Sequence, residues 1–458
     1  MGTPEGFPTP PGGSGGETHE LTVEQAIQMA VEIQRRGRLD AAEEIYQRVL
    51  DAVPDQIDAL HFLGICRFHR GQHEEGMALV RRALEQAPDN VDVRNNLGNM
   101  LSSCRRFEEA EAAFRQVLER APDYVNALSN LGSVLRRRRD LVGAEAALRR
   151  AIALAPAHGE AYHNLANVLR DLDRDDEALV VQGRALELNP YDGEAYRGMG
   201  AVLYAKGRVA DALAIYRRWL EVEPNSDSAR HMIASCSGEA PPARAADEFV
   251  RRTFEGFADG FDQILARLDY RAPALVAEAV RTLAGKPARA LDVLDAGVGT
   301  GWCGADLRPF ARSLAGVDLS PDMLRKARER QIDDRPTYDE LVEGELTAFM
   351  RTRPRAFDLI VSADTLVYFG PLEDVLGAAA GALRPGGHLV FTVEEAIADA
   401  PNGVLLNPHG RYSHSEDYLR RTLAGAGFEP PAIDRVTLRH ELKLPVAGFL
   451  VGARLARA

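Results

Sequence analysis

Apolar positions in the second half of the chain change period, from helical to strand-like. Phe249, Phe254, Phe257, Phe261 and Leu265 recur at helical spacings, and 274–284 reads as an amphipathic helix. Leu291, Val293 and Leu294 then make a short apolar run of the kind expected of a buried parallel strand. Three glycines, Gly297, Gly299 and Gly301, follow before the next helix. Further apolar strands are predicted at 314–319, 338–342, 356–361 and 388–394, then a helix at 415–426 and strands at 431–440 and 446–454. Strands alternating with helices predict an α/β domain over 290–458.

The first half carries a repeat instead. Proline stands at 54, 88, 122, 156, 190 and 224, always 34 residues apart. Twelve residues earlier come Ala42, Gly76, Ala110, Ala144, Ala178 and Ala212. Leu63-Gly64, Leu97-Gly98, Leu131-Gly132, Leu165-Ala166 and Met199-Gly200 recur in step. A 34-residue period with small residues at helix crossings and proline at the exit resembles the tetratricopeptide repeat. The resemblance implies six antiparallel helix pairs stacked into a right-handed superhelix over 21–236, with a capping helix near 226–235. Its concave face would be lined by the first helix of each pair. Asn96, Asn130 and Asn164 recur there just before the leucine. A carboxamide can pair with both polar groups of a peptide backbone. These three resemble the asparagine ladder in the repeats of O-linked N-acetylglucosamine transferase, and are the expected peptide contacts. The alternative is that they satisfy neighbouring repeats or water. Arg136–Arg139 is the one strong basic run, read as a solvated face or a contact for an acidic segment.

Composition narrows the function classes. A chain of 458 residues is too long for one core. The net charge of -13 argues against a general nucleic-acid binder. Cys66, Cys104, Cys236 and Cys303 lack metal-ligand spacing and read as free thiols of a cytoplasmic protein, with no metal expected. No apolar run is long enough for a membrane span. Residues 1–20, rich in Pro, Gly and Thr, read as a disordered tail. Loop signals around 236–245 place a domain boundary at 236, with linker and lid helices over 237–289.

The candidate chemistry sits at the glycine turn. Glycines allow a tight bend and close approach of a ligand to the main chain. Asp318, at the tip of the second strand, can accept both ribose hydroxyls. A dinucleotide and S-adenosylmethionine both satisfy these features. The dinucleotide fingerprint wants Gly-x-Gly-x-x-Gly, whereas here an acid leads and the glycines alternate, Asp295-x-Gly297-x-Gly299-x-Gly301. This resembles motif I of the class I S-adenosylmethionine-dependent methyltransferases. Asp318-Leu-Ser-Pro-x-Met-Leu and the Pro385-Gly-Gly turn before the fifth strand resemble the same family. The resemblance implies a seven-stranded Rossmann-like sheet with an antiparallel last strand. It implies S-adenosyl-L-methionine contacts at Asp295, Gly297, Gly299, Gly301, Asp318, Leu319, Glu345, Leu346 and Ala363. Glu345 stands where the family usually has Asp.

Methyl transfer needs orientation and desolvation, and a base only where the nucleophile must lose a proton. Candidates lie at the carboxyl ends of strands. Asp364, Tyr368, Glu394 and His414 are the expected catalytic residues, His414 because histidine titrates near neutrality. Asn407–Ser415 resembles the Gly-Arg-Tyr-x-His-Ser segment of bacterial methyltransferases that carry tetratricopeptide repeats. Arg411, Tyr412, Tyr270 and Arg271 are the expected substrate contacts, Arg411 holding an anionic group or the cofactor carboxylate. The resulting expectation is a methyltransferase whose repeats recruit a peptide or protein acceptor, with a homodimer as one arrangement open to it. A small-molecule acceptor, with repeats used for docking or dimerising, and a non-catalytic cofactor-binding scaffold are the alternatives.

Overall fold

The structure, a computed structural model, describes residues 21–254, 262, 265, 268–396, 400–441 and 444–457. The tail expected at 1–20, and Phe257 and Phe261 of the aromatic stripe, lie outside them. The chain divides into two compact units, one ending at Ala195 and the other beginning at Tyr196.

The first unit is built of helix pairs. Val23–Arg35 and Leu39–Ala52 set an alternation that continues to Asp175–Leu188. Each pair closes where a small residue lets two backbones approach. A Cβ on Gly98 would lie 2.6 Å from the Phe114 ring, and one on Gly132 would lie 2.4 Å from Leu148 Cγ. Ala110 and Ala144 are fully buried at the matching positions. The prolines fall in the turns between pairs, where no helical N–H is required.

Asn96, Asn130 and Asn164 turn sideways. Asn96 Nδ2 donates to His61 Nε2 (2.9 Å), Asn130 Nδ2 to Asn95 Oδ1 (3.3 Å) and Asn164 Nδ2 to Ser129 Oγ (3.4 Å). Each partner belongs to the preceding repeat, and His61, Asn95 and Ser129 are buried. Each carboxamide thus commits one of its two N–H groups to a stitch between successive repeats, the alternative reading of this row. In the basic run, Arg136 pairs with Asp171 (2.7 Å) and Arg138 with Glu108 (3.3 Å).

The second unit takes in the helices Val209–Val222 and Asp227–Ser237, so the boundary expected at 236 lies inside it. Contacts explain this. His231 Nε2 donates to the Gly410 carbonyl (2.8 Å), and its ring packs 4.4 Å from that of Phe249. The capping helix is thus part of the second unit's own packing.

The sheet comprises β1 (Leu291–Ala296), β2 (Ala311–Asp318), β5 (Glu340–Glu343), β6 (Phe357–Ser362), β7 (Leu383–Glu395), β10 (Ala432–Glu441) and β11 (Leu444–Arg454) in the order β10-β11-β7-β6-β1-β2-β5. Strands β3 (Gln331–Ile332) and β4 (Arg335–Pro336) pair only with each other. The central strands are parallel and β11 runs antiparallel to both neighbours, as expected. Two short strands add to the expected seven: β8 (Val404–Leu406) pairs with β9 (Tyr412–His414), and β9 pairs with β7. Val293 and Leu294 of β1 are fully buried between layers of helices, which explains their unbroken apolar run.

Candidate active site

β1 leads the chain through Asp295 into the glycine turn. Gly297, Gly299 and Gly301 adopt φ of 83°, 53° and 80°, a region open to glycine at little cost. A Cβ on Gly297 would stand 2.1 Å from Thr365 Oγ1, whereas one on Gly299 would meet nothing within 4 Å. Gly299 therefore faces open space, and its N–H donates to Asp318 Oδ2 (2.8 Å). The other oxygen, Oδ1, accepts from the N–H of Ser320 (2.9 Å). Burial pushes the Asp318 pKa up, and these N–H groups oppose that shift.

A cavity opens beside this turn. Gly297, Gly299, Asp318, Leu319, Glu345, Leu346 and Ala363, all expected cofactor contacts, line it. The residues fit a nucleoside with a charged tail. An acid stands at the β2 tip, Leu319, Met323 and Leu346 give apolar wall, and the Gly299 backbone is approachable. Two further polar atoms in the lining, Trp302 Nε1 and Asp364 Oδ1, are buried and have no hydrogen-bond partner among the described residues. Glu345 also caps the helix Leu346–Arg351, accepting from the N–H groups of Thr347 (3.0 Å) and Ala348 (2.8 Å).

Two of the expected cofactor residues do not line the cavity. Asp295 is buried behind the turn, accepts from Tyr338 Oη (2.7 Å), and has its pKa pushed up to about 7, chiefly by burial. Gly301 packs beneath Tyr338, where a Cβ would come within 3.1 Å of the ring. Both shape the turn from behind.

The expected catalytic set separates likewise. Asp364 and Tyr368 line the cavity. His414 does not: it is fully buried in β9, donates from Nε2 to the Gly370 carbonyl (2.8 Å), and packs against Tyr418. Burial pushes its pKa down to about 4. The assignment of His414 as base is corrected: the ring holds the loop after β6 to β9. Glu394, also buried and outside the cavity lining, is an ion-pair partner of Arg411 (2.7 Å) and Arg439. Among expected substrate contacts, Tyr270 and Arg411 line the cavity. Arg271 is exposed outside it, its backbone N–H bonded to the Leu438 carbonyl (2.8 Å). Tyr412 is buried and its hydroxyl donates to the Pro242 carbonyl. Arg411 is not open to an anion, because Glu394 and Glu441 (2.7 Å each) already hold it.

Among the lining residues that the sequence reading missed are Trp302, Arg439, Glu441 and Arg244. Arg439 is 3% exposed and bonds Asp364 Oδ2 (2.7 Å), Glu441 (2.7 Å) and Glu394. Its partners lie 45 and 75 residues away, so local spacing could not name them.

The strand order, the glycine turn and the acid at the β2 tip together define a class I methyltransferase domain. Comparison with known proteins agrees. A family model described as methyltransferase domain matches residues 293–387. Two tetratricopeptide repeat models match 35–95 and 68–131, and 125–155 and 159–189. Sarcosine/dimethylglycine N-methyltransferase of Halorhodospira halochloris is 31% identical over 144 residues, 30% of this chain and 51% of that protein. Malonyl-[acyl-carrier protein] O-methyltransferase of Priestia megaterium is 29% identical over 129 residues, 28% of this chain and 43% of that protein. The chain thus spans about half the length of these relatives. A solved PilF chain of Pseudomonas aeruginosa is 17% identical and covers 44% of this chain and 93% of its own, at a TM-score of 0.40. The chain carries tetratricopeptide repeats followed by a class I methyltransferase domain.

Proposed function

We propose that this protein is an S-adenosylmethionine-dependent methyltransferase whose repeats recruit the acceptor, a peptide or protein. The observation that carries the reading is the open Gly299 backbone beside the Asp318 carboxylate, at the end of the central parallel strands. When bound, S-adenosylmethionine supplies a methyl group activated by its sulfonium and leaves as neutral S-adenosylhomocysteine. Asp318 holds the ribose, and Leu319, Met323 and Leu346 enclose the base. Tyr270, Tyr368 and Trp302 exclude water from the reacting end, which strengthens every electrostatic contact there. Asp364 is the group placed to take a proton from the nucleophile. Its carboxylate borders the cavity, and burial raises its pKa against the pull of Arg439. The repeats' role rests on the stacked helix pairs, an architecture that presents extended binding surfaces.

Calorimetry tests the reading. The full chain is expected to bind S-adenosylmethionine with micromolar affinity, and Asp318→Ala to lose at least tenfold. Unchanged binding in a folded Asp318→Ala variant refutes the ribose role. The absence of binding in the native protein refutes the cofactor assignment itself.

A further inference from the structure

The cavity has a charged wall whose composition the cofactor does not explain. Arg439 on β10 and Arg411 on the loop before β9 carry the two guanidinium groups. Facing them are three carboxylates: Asp364 after β6, Glu394 on β7 and Glu441 at the end of β10. Every strong cation–anion contact is made within this set. Both arginines are held within it, and Arg244, a third arginine in the lining, is paired with Asp247 (2.5 Å); with Glu394 counted behind the lining, the set's formal charge is one unit negative. His409, beside Glu394 at 3.5 Å, is pushed down to about 4, mainly by burial and by Arg411, and adds no charge near neutrality.

Asp364 lines the cavity with Arg411, Arg439 and Glu441, and is the member with an oxygen left over. Arg439 takes its Oδ2, while Oδ1 is buried with no partner among the described residues. The residue is held in the left-handed region, φ 58°, which costs a non-glycine residue roughly 1 kcal/mol and is tolerated best by Asp and Asn. Its N–H is tied to Thr392 Oγ1 (2.8 Å). Aromatic groups complete the wall. Tyr270 packs 6.2 Å from Trp302, and Tyr368 packs edge-on to Phe254 at 5.8 Å. A bare acceptor oxygen, a surplus negative charge and aromatic faces are complementary to an N–H-bearing cation. They are hostile to a carboxylate or phosphate, which would find no free guanidinium and would be repelled.

We propose that the acceptor is an amine, seated between Tyr270, Trp302 and Tyr368 with its N–H directed at Asp364 Oδ1. The inference rests on the methyltransferase reading and names its substrate class. The bound ammonium first gives a proton to Asp364, which passes it to water, and this frees the nitrogen lone pair. That lone pair forms the new N–C bond as the C–S bond breaks with its electrons going to sulfur, and the methylated nitrogen carries the positive charge. Carboxylate and phosphate acceptors are excluded by the same wall.

The test uses the full chain saturated with S-adenosylhomocysteine and a matched pair of probes, benzylamine and benzoate, titrated by ligand-observed NMR. Benzylamine is expected to bind at least tenfold tighter than benzoate. Asp364→Asn keeps the shape and removes the charge, and is expected to bring the two within about twofold. Trp302→Phe is expected to weaken benzylamine severalfold, since its ring is the poorer cation partner. Benzoate binding as tightly as benzylamine in the native protein overturns the proposal. So does a preference that survives Asp364→Asn in a protein with native circular dichroism. A peptide with one lysine and a free alkylamine present the same group. Binding of either upholds the amine class, and the tighter of the two identifies its source. S-adenosylhomocysteine binding is measured first. Its failure counts against the cofactor reading alone, because the amine–acid comparison can still be made on the apo protein.

Discussion

Replacing Arg439 by Met is the most informative single perturbation of this site. The native guanidinium is almost wholly buried and bonds three carboxylates, Asp364 (2.7 Å), Glu441 (2.7 Å) and Glu394. Methionine fills much of the same volume, so the loss is electrostatic. Breaking a buried pair by removing one partner costs about 3–5 kcal/mol, because the remaining charge stays buried without compensation. For a unit of this size that corresponds to a fall in melting temperature of about 6–20 °C at pH 8. The pH dependence carries the sign. In the native protein Glu394 and Glu441 lie below the ordinary carboxylate range, held there against burial by Arg411 and Arg439. Groups with depressed pKa values contribute stability above their unfolded values and lose it as the pH falls. In Arg439→Met only Arg411 still opposes burial at Glu394 and Glu441, and Asp364 loses its ion-pair partner, so these pKa values rise and the variant loses less on acidification than the native protein does. The deficit should therefore shrink between pH 8 and pH 5. Differential scanning calorimetry of the full chain at both pH values measures it, following the transition of the second unit. A melting temperature within 1–2 °C of native at pH 8, or a deficit that widens on acidification, refutes the charge ledger drawn for this wall.

Other expectations follow from the same geometry. Gly297→Ala should abolish cofactor binding and lower stability markedly, since its Cβ would collide with Thr365 at a positive φ; Gly299→Ala, at φ 53° but with open space around it, should cost only roughly 1 kcal/mol of backbone strain and lose affinity. Calorimetric titration of the two variants separates these outcomes, and equal damage from both would contradict the placement of Gly299. For His414, the folded pKa near 4 lies below the unfolded value, so its contribution is complete above about pH 6.5 and disappears as the pH falls towards 4. His414→Gln should remove up to about 3 kcal/mol of that acid-dependent loss. An unchanged acid limb in chemical denaturation would show that the ring is not buried neutral. Asn130→Ala should cost the repeats about 1 kcal/mol through the lost bond to Asn95, read from the urea midpoint of the full chain's first transition. No change would argue that the carboxamide is not part of a stitch.

What the sequence determined by itself is local or periodic. The 34-residue spacing of prolines and small residues specifies helix pairs, because each crossing needs a small side chain at one fixed place, as Gly98 and Gly132 show against Phe114 and Leu148. The glycine turn, the acid at the β2 tip and the succession of strands were legible because strand, turn and helix follow one another along the chain. Tertiary structure decided everything that depends on which distant groups meet. His414 and Glu394 were plausible catalysts by residue type, yet the short β8–β9 addition to the sheet buries one and two arginines neutralise the other. Asn96, Asn130 and Asn164 repeat as a binding row would, but each reaches back to the preceding repeat. Arg439, unremarked in sequence, sets the charge of the cavity wall through Glu441 on its own strand and through partners on two other segments of the second unit. Pattern reveals where a side chain sits on its own element; only packing reveals what charge or hydrogen bond is left over for a ligand.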